Sequence, residues 1–374
     1  MTASTAADLA DRFPHVLKVF QQGRDRGLHH GLQLWIARDG QVQADAALGE
    51  ARPGEPLTPD HWLQWLSAGK PLTAAAIARV WEQGRLQLDD PVATFLPEFA
   101  VRGKERITFR HLLTHTAGLR SIDTGWPEFS WDETIAAICN AAPDPDAIYG
   151  RTAGYHVAST WFLLGETLQR LLNRPYVDLM QTELFAPCGM SATRMAVTSE
   201  EQVQLGHQLA PLWERDRTDL RELDWHMPPR VERPSPGSTA RGPIRDLGRF
   251  YEMLRREGAA SHGRVLQPTT VAALTARHRV GDFDQTLGHV IDFGLGFIID
   301  SNRYGADTVP YGYGRFCSPR TFGHGGAQSS QGYCDPEHAL AVAYVFNGRA
   351  GEGQHNRRCR AINDAIYRDL GLAD

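Results

Sequence analysis

The strand signals of this sequence lie at its two ends. Near the N-terminus, apolar residues alternate over 32–36 and again over 42–46, and the pair Asp39-Gly40 separates the two runs. Alternation on both sides of Asp-Gly predicts a two-stranded hairpin. A second hairpin is predicted over 332–346, with a short polar turn in its middle. Both hairpins need a partner for their apolar faces, so we predict one sheet built from both ends of the chain.

Between these ends the sequence is mainly helical. Apolar residues recur at helical spacing in segments that turn residues separate. The predicted helices cover 7–26, 72–83, 107–115, 131–140, 157–172, 175–184, 244–257 and 354–370. This pattern predicts a helical insert within a domain whose sheet needs both termini. We place the sheet domain at 1–98 and 231–374, and the helical domain at 99–230.

Ser67 and Lys70 form the first candidate catalytic pair. They precede the helix predicted over 72–83, and if Ser67 opens that helix the two side chains share one face. A serine hydroxyl becomes a good nucleophile when a nearby base takes its proton, and a desolvated lysine can be that base. Only three of the 39 basic residues are lysines, and lysine can lose its proton whereas arginine cannot. The pair indicates acyl transfer; the alternative is a chance pair of solvated side chains.

Two further segments carry candidate groups. Tyr155 precedes the helix predicted over 157–172, where the positive helix end and a nearby ammonium would favour a phenolate base. A packing tyrosine is the alternative. The glycines of 321–327, TFGHGGA, would let the backbone approach a ligand, and the next amide could help to hold an oxyanion. The alternative there is a glycine turn with a surface histidine, His324.

In combination, SAGK at 67–70, GYH at 154–156 and FGHGGA at 322–327 resemble the motifs of the serine β-lactamase and penicillin-binding-protein superfamily. The resemblance is to its class C β-lactamase and esterase branch, and it extends over about 7–370. It implies an α+β fold of the β-lactamase/transpeptidase type. Such a fold has an antiparallel sheet flanked by helices and an inserted all-helical domain, with the active site between the two domains.

The resemblance also implies roles for the matching residues. Ser67 resembles the acylated nucleophile, and Lys70 resembles its helper. Tyr155 matches the tyrosine that acts as general base and then protonates the leaving group. The backbone amides of Ser67 and Ala327 match the two donors of the oxyanion hole.

Two positions depart from the β-lactamases of this branch. His324, with Gly325 and Gly326, stands where the family has lysine-threonine-glycine at the sheet edge, so we expect a catalytic role for His324 and substrate contacts from the glycines. An imidazole is largely neutral at pH 7 and suits an uncharged ester better than a carboxylate-bearing substrate. Val157 replaces the asparagine of Tyr-x-Asn, whose amide contacts a lactam side chain, and the adjacent His156 is a candidate substrate-binding residue.

The resemblance and these departures predict a serine hydrolase that cleaves carboxylic esters through an acyl-serine intermediate. An acyltransferase of secondary metabolism, using the same acyl-enzyme, is the first alternative, and a β-lactamase or D-aminopeptidase is the second. A catalytically silent homologue that binds a ligand is a rival of another class, and the retention of Ser67, Lys70 and Tyr155 argues against it. The expected partner is a small ester or acyl substrate, with no metal and no organic cofactor, and the oligomeric state stays open.

Charge and composition narrow the partners and the location. The formal net charge is -5, whereas a nucleic-acid binder would have a basic surface. No apolar run reaches the roughly 18 to 20 residues of a membrane-spanning helix. The first twenty residues have neither the cationic start nor the apolar block of an export signal. Five cysteines without CxxC spacing indicate reduced thiols, and we therefore predict a cytoplasmic protein. From the charge and the short apolar runs we expect no nucleic-acid partner and no membrane partner.

Overall fold

The structure is a computed structural model that describes residues 6–261 and 263–373. Its helices are α1 (Ala6–Arg12), α2 (Pro14–Asp25), α3 (Lys70–Glu82), α4 (Phe109–Leu113), α5 (Trp131–Asn140), α6 (Ser159–Leu172), α7 (Tyr176–Leu179), α8 (Ser199–Leu205), α9 (Ile244–Arg255), α10 (Pro268–Thr275) and α11 (Glu352–Asp369). Its strands are β1 (Gly31–Arg38), β2 (Gln41–Arg52), β3 (Glu55–Pro56), β4 (Leu63–Gln64), β5 (Trp213–Asp216), β6 (Asp219–Glu222), β7 (Arg241–Gly242), β8 (Ala259–Ala260), β9 (Gly263–Arg264), β10 (Phe283–Asp284), β11 (His289–Val290), β12 (Ile298–Ile299), β13 (Phe322–Gly326), β14 (Ser330–Asp335), β15 (Leu340–Phe346) and β16 (Gly348–Arg349). The prediction that the chain lacks an export signal includes residues 1–5, which lie outside the described residues.

Seven strands form one antiparallel sheet in the order β12–β13–β14–β15–β1–β2–β3. Both predicted hairpins are confirmed, as β1–β2 and as β14–β15. Strand β1 lies beside β15, with the pairing running from Leu32 with Phe346 to Arg38 with Leu340. The sheet therefore combines the two ends of the chain, because strands about 300 residues apart in sequence are direct neighbours in it.

Helices cover both faces of this sheet. Successive side chains of a strand point to opposite faces, so β1 contributes to two apolar clusters. Leu32, Leu34 and Ile36 belong to a cluster with residues of α2 and α11, whereas Trp35 and Ala37 belong to a cluster with residues of α3 and α9. The described helices include none with the length and apolarity that a bilayer crossing requires.

The middle of the chain contains strands that the sequence pattern did not predict. Strands β5 and β6 form a hairpin within 99–230, and β5 pairs in parallel with β16 near the C-terminus. Both strands are short and polar (WERD and DLRE), so they carry no apolar alternation that would reveal them. The segment predicted to be all-helical thus carries α4–α8 and also this hairpin, and the domain limits proposed from the sequence stay a prediction.

Candidate active site

Ser67 and Lys70 meet at the start of α3. Ser67 lies in a 3₁₀ turn over Leu66–Gly69, and Lys70 is the first residue of the helix, so the serine precedes α3 rather than opening it. Lys70 Nζ lies 3.2 Å from Ser67 Oγ. The three-residue spacing therefore places both side chains on one face, within reach of a proton transfer.

Lys70 is fully buried, and no carboxylate among residues 6–261 and 263–373 forms an ion pair with it. Its Nζ lies 2.7 Å from the Val157 carbonyl oxygen and 2.9 Å from that of Gly237. Burial is the cause that lowers the pKa of Lys70 well below its usual range. A neutral amine has two N–H donors and one lone pair, so the two carbonyls use its donors and the lone pair remains for Ser67.

The turn that carries Ser67 is anchored from outside. Leu66, directly before it, has a φ of 53°, which is unfavourable for a residue with a branched side chain. The preceding Trp65 is held at both ends: its backbone N–H donates to the Ala240 carbonyl (2.9 Å) and its indole N–H to the Gly242 carbonyl (3.1 Å). These contacts stabilise a strained turn and thereby fix the direction of the Ser67 hydroxyl.

Tyr155 approaches Lys70 from the segment before α6. Its backbone N–H donates to Asp284 Oδ1 (3.0 Å), and its ring centre lies 5.3 Å from Lys70 Nζ. Helix α6 begins only at Ser159, so Tyr155 does not occupy the helix end that we expected to favour a phenolate. Burial raises the pKa of the Tyr155 phenol, and a hydrogen bond with Ser67 offsets part of that rise. At neutral pH Tyr155 therefore keeps its proton.

His324 lies on β13, next to the edge strand β12, and not on a surface turn. Its side chain is buried, and Nδ1–H donates to the Gly325 carbonyl (2.7 Å). No partner of His324 Nε2 occurs in the described part of the chain. Burial and then the charge of Lys70 lower the pKa of His324 to about 3. The imidazole is neutral at pH 7, as the sequence led us to expect.

Two backbone amides are available beside the serine. Neither the Ser67 nor the Ala327 N–H has an acceptor among residues 6–261 and 263–373. Gly326 permits the close approach of β13 to the serine turn, since a Cβ on it would lie 2.2 Å from the Trp65 carbonyl oxygen. Unpaired N–H donors from two segments, brought together this way, can hold an oxyanion.

A cavity of about 310 Å³ opens onto Ser67. Five of the residues predicted from sequence line it, namely Ser67, Tyr155, His324, Gly325 and Ala327. Val157, the third position of the tyrosine motif, also lines it. The rest of the wall comes from segments that carry no motif: Thr286, Leu287, Ile298, Pro310, Tyr311, Glu352 and Asn356. Its size and mainly apolar wall suit a small organic substrate.

Two predicted substrate-binding residues lie behind this wall instead. The ring nitrogens of His156 are used within the fold: Nε2 accepts from the Leu119 N–H (2.9 Å), and Nδ1 lies 3.1 Å from His115 Nδ1. His156 therefore has no group left for a substrate, and we correct its role to support of the wall. Gly326 likewise shapes the approach of β13 without lining the cavity. Tyr155 and His156 are adjacent in sequence, yet Tyr155 lines the cavity and His156 packs on His115, so the motif alone did not show which residue faces the substrate.

The carbonyls that surround Lys70 were missed by the sequence analysis. Gly237 has no Cβ, and one placed there would lie 2.8 Å from Lys70 Nζ and 3.0 Å from Trp161 Cγ. The only local signal is the turn composition of PSPG at 234–237, which does not identify a lysine contact. Within the residues described, no group of three His, Cys, Asp or Glu side chains has an arrangement that would hold a metal ion.

The geometry can now be compared with known proteins. A family model described as Beta-lactamase matches residues 16–366. The chain belongs to the Beta-lactamase family. The esterase EstB of Burkholderia gladioli, a relative, is 27% identical to it over 97% of this chain and 96% of that protein.

Two solved structures are similar to this chain over almost its whole length. The structure titled "EstCE1, a hydrolase with promiscuous acyltransferase activity" is 25% identical with a TM-score of 0.79, over 97% of this chain and all of that one. A penicillin-binding-protein homologue from Caulobacter crescentus is 25% identical with a TM-score of 0.77, over 99% of each chain. These comparisons confirm the predicted superfamily, the α+β fold and the class of enzyme, a serine hydrolase.

Proposed function

We propose that this chain hydrolyses small carboxylic esters through an acyl-enzyme on Ser67. The observation that carries the proposal is the setting of the Lys70 amine, which is buried against two carbonyl oxygens with Ser67 Oγ at 3.2 Å. This setting favours a neutral lysine whose lone pair accepts the serine proton. The esterase EstB supports the choice of an ester as substrate.

In acylation, Ser67 Oγ bonds to the ester carbonyl carbon while its proton passes to Lys70 Nζ. The carbonyl electron pair moves to oxygen, where the N–H groups of Ser67 and Ala327 stabilise the charge. The tetrahedral centre then expels the alkoxide, which takes the phenolic proton of Tyr155 and leaves as an alcohol. Lys70 is then an ammonium and Tyr155 a phenolate.

Deacylation returns both protons. A water molecule gives a proton to the Tyr155 phenolate, and its oxygen bonds to the acyl carbon. Ser67 Oγ then leaves as an alkoxide and takes back its proton from Lys70, which releases the carboxylic acid. We assign the first proton transfer to Lys70, and not to Tyr155 as the resemblance implied, because burial lowers the pKa of Lys70 and raises that of Tyr155.

The charges of the cavity favour esters over carboxylate-bearing lactams and peptides. The position of the family's lysine is occupied by His324, whose pKa is lowered to about 3, so it supplies no cation at neutral pH. Val157 offers the cavity an apolar side chain in place of an amide. Hydrolysis of nitrocefin at ordinary enzymatic rates would instead favour the β-lactamase alternative.

The proposal is tested by labelling and by substitution. A fluorophosphonate probe should add its mass to Ser67, and Ser67→Ala should lose both the label and the hydrolysis of nitrophenyl butyrate. Ser199→Ala is the matched control, because Ser199 lies on the exposed first turn of α8. Lys70→Arg tests the base, since arginine keeps the charge and cannot release its proton. Full activity of Ser67→Ala or of Lys70→Arg would refute the mechanism.

Acyl transfer is the second candidate activity. The relative EstCE1 is described as a hydrolase with promiscuous acyltransferase activity, which supports it. An alcohol that replaces water in deacylation would give a new ester. The ratio of new ester to acid, formed in the presence of added alcohol, distinguishes the two activities. A product ratio above the molar ratio of alcohol to water favours the transferase.

We also propose a cytoplasmic location. All five cysteines are buried free thiols. A reducing compartment is where proteins keep their thiols in this state. Fractionation of the native host, with the protein detected by antibody, tests the location.

A further inference from the structure

The mouth of the cavity carries a carboxylate that the mechanism does not use. Glu352, the first residue of α11, lines the same cavity as Ser67 and is exposed to solvent. Its charge lies close enough to Tyr155 to contribute to the raised pKa of that phenol. An ester bound at Ser67 therefore has a negative charge within its surroundings.

The contacts of Glu352 hold its carboxylate in place without neutralising it. The Tyr311 hydroxyl donates to it, at 3.0 Å from Oε1 and 2.9 Å from Oε2, and the Gln328 amide donates at 3.3 Å. Neither partner carries a charge at neutral pH. Its contacts in the described part of the chain are thus hydrogen bonds from uncharged groups and not an ion pair.

Tyr311 is itself rigidly placed, which fixes the position of the carboxylate. Its backbone N–H donates to Asn356 Oδ1 (3.1 Å), and its carbonyl accepts from Gln331 Nε2 (2.8 Å). Its ring packs against β13, where a Cβ on Gly325 would lie 2.3 Å from Tyr311 Cδ1. An aromatic face and a carboxylate at one cavity mouth are the groups that recognise an ammonium ion in proteins.

The other polar side chains of the wall do not oppose this charge. Tyr155, Thr286 and Asn356 are uncharged, and His324 is neutral as described above. Lys70 lies behind the serine and uses its donors on two backbone carbonyls. Among the described residues that line the wall, Glu352 is therefore the charged side chain that a substrate meets.

We propose that Glu352 determines charge specificity, so that the enzyme prefers esters that bear an ammonium group over neutral esters and discriminates against esters that bear a carboxylate. The inference rests on the proposed esterase function and deepens it by naming the substrate class. Attraction and repulsion arise from the same carboxylate, so both preferences must change together when it is neutralised.

The test uses nitrophenyl esters with acyl chains of equal length that end in methyl, trimethylammonium or carboxylate. A second series places the same three ends on the alcohol part. For each enzyme, kcat/KM on the charged esters is divided by its own kcat/KM on the neutral ester. The cation ratio is the value for the trimethylammonium ester, and the anion ratio is the value for the carboxylate ester. In Glu352→Gln, the cation ratio should fall about fivefold and the anion ratio should rise by a similar factor, in at least one series.

Glu337→Gln is the matched control. It removes one carboxylate from the exposed turn between β14 and β15, away from the cavity, and should leave both ratios unchanged. In the wild type alone, the cation ratio should also fall when ionic strength rises from about 0.01 M to about 1 M, because the Debye length shrinks from about 30 Å to about 3 Å. This measurement needs no substitution.

The outcomes separate this inference from the proposed function. If neutral esters are hydrolysed only when Ser67 is present, yet the ratios of wild type and Glu352→Gln are equal in both series, the charge inference is wrong and the esterase stands. If Ser67→Ala hydrolyses the neutral ester as fast as wild type, the proposed function fails first.

Discussion

The buried ion pair of Asp284 and Arg279 supports the segment that carries Tyr155. Asp284 Oδ1 accepts from the backbone N–H groups of Tyr155 (3.0 Å), Thr286 (2.9 Å) and Leu287 (2.9 Å). Arg279 Nη2 donates to Asp284 Oδ2 at 2.9 Å, and both side chains are almost entirely buried. One carboxylate thus positions a proposed catalytic tyrosine and two residues of the cavity wall.

Asp284→Asn removes the charge and keeps the size of the side chain and one acceptor oxygen. It leaves the Arg279 guanidinium buried without its counter-charge, and breaking such a pair costs about 3–5 kcal/mol. A chain of 374 residues has an entropy of unfolding of about 0.8 kcal/mol/K at the midpoint of its thermal transition. The melting temperature should therefore fall by about 4–6 °C.

The double variant Arg279→Met, Asp284→Asn is the control for the charge. The guanidinium of Arg279 lies 4.1 Å from the centre of the Phe293 ring, where a methionine side chain can pack without a charge. With both charges absent, the loss of stability should be smaller than in Asp284→Asn alone. Urea denaturation followed by circular dichroism gives the free energies of unfolding, and kcat on nitrophenyl butyrate reports the position of Tyr155.

Two results would refute this reasoning. An Asp284→Asn protein within about 1 kcal/mol of wild type would show that Arg279 finds its compensation elsewhere. A double variant at least as unstable as the single one would show that packing, and not the uncompensated charge, explains the loss.

Three further predictions concern the site itself. Since Lys70 must be neutral to accept a proton, kcat/KM should fall as the pH drops through the lowered pKa of Lys70. Because the pKa of Tyr155 is raised, kcat/KM should stay constant at alkaline pH. A decline of kcat/KM near pH 10, where an ordinary tyrosine titrates, would contradict this. Gly237→Ala would place a Cβ 2.8 Å from Lys70 Nζ, and we expect kcat/KM to fall about 100-fold. Steady-state kinetics measures this loss, and circular dichroism checks that the fold is retained. An unchanged kcat/KM would show that Gly237 does not position Lys70. Gly326→Ala would place a Cβ 2.2 Å from the Trp65 carbonyl oxygen and would displace the Ala327 N–H, a proposed oxyanion donor. We therefore expect kcat and kcat/KM to fall together by about 100-fold. A change in KM alone would show that this N–H does not stabilise the oxyanion.

Strong local patterns made much of the fold predictable. Asp39-Gly40 between alternating runs located the first hairpin, and helical spacing located helices such as α5 with both bounds correct. Local pattern did not predict strand β13, because its glycines carry no alternation of apolar side chains and resemble a turn. The short polar strands of the middle segment were missed for the same physical reason. The family resemblance alone placed His324 at a sheet edge.

The candidate site was predictable only as far as its residues share a motif. Ser67 and Lys70 are three residues apart, so the period of the helix is enough to bring them together. His156 was assigned to the substrate, and the structure turns it inward onto His115. Glu352 could not be found, because one glutamate among 44 acidic residues carries no local signal.

The sequence alone determined which chemical groups the protein has, their order along the chain and the local elements that carry them. The tertiary structure alone decided how burial shifts the pKa values of these groups. Lys70 meets carbonyls of residues 87 and 167 positions further along the chain, Val157 and Gly237. Desolvation depends on which groups surround an atom in space, and distant segments provide most of them, so a pKa cannot be inferred from local pattern.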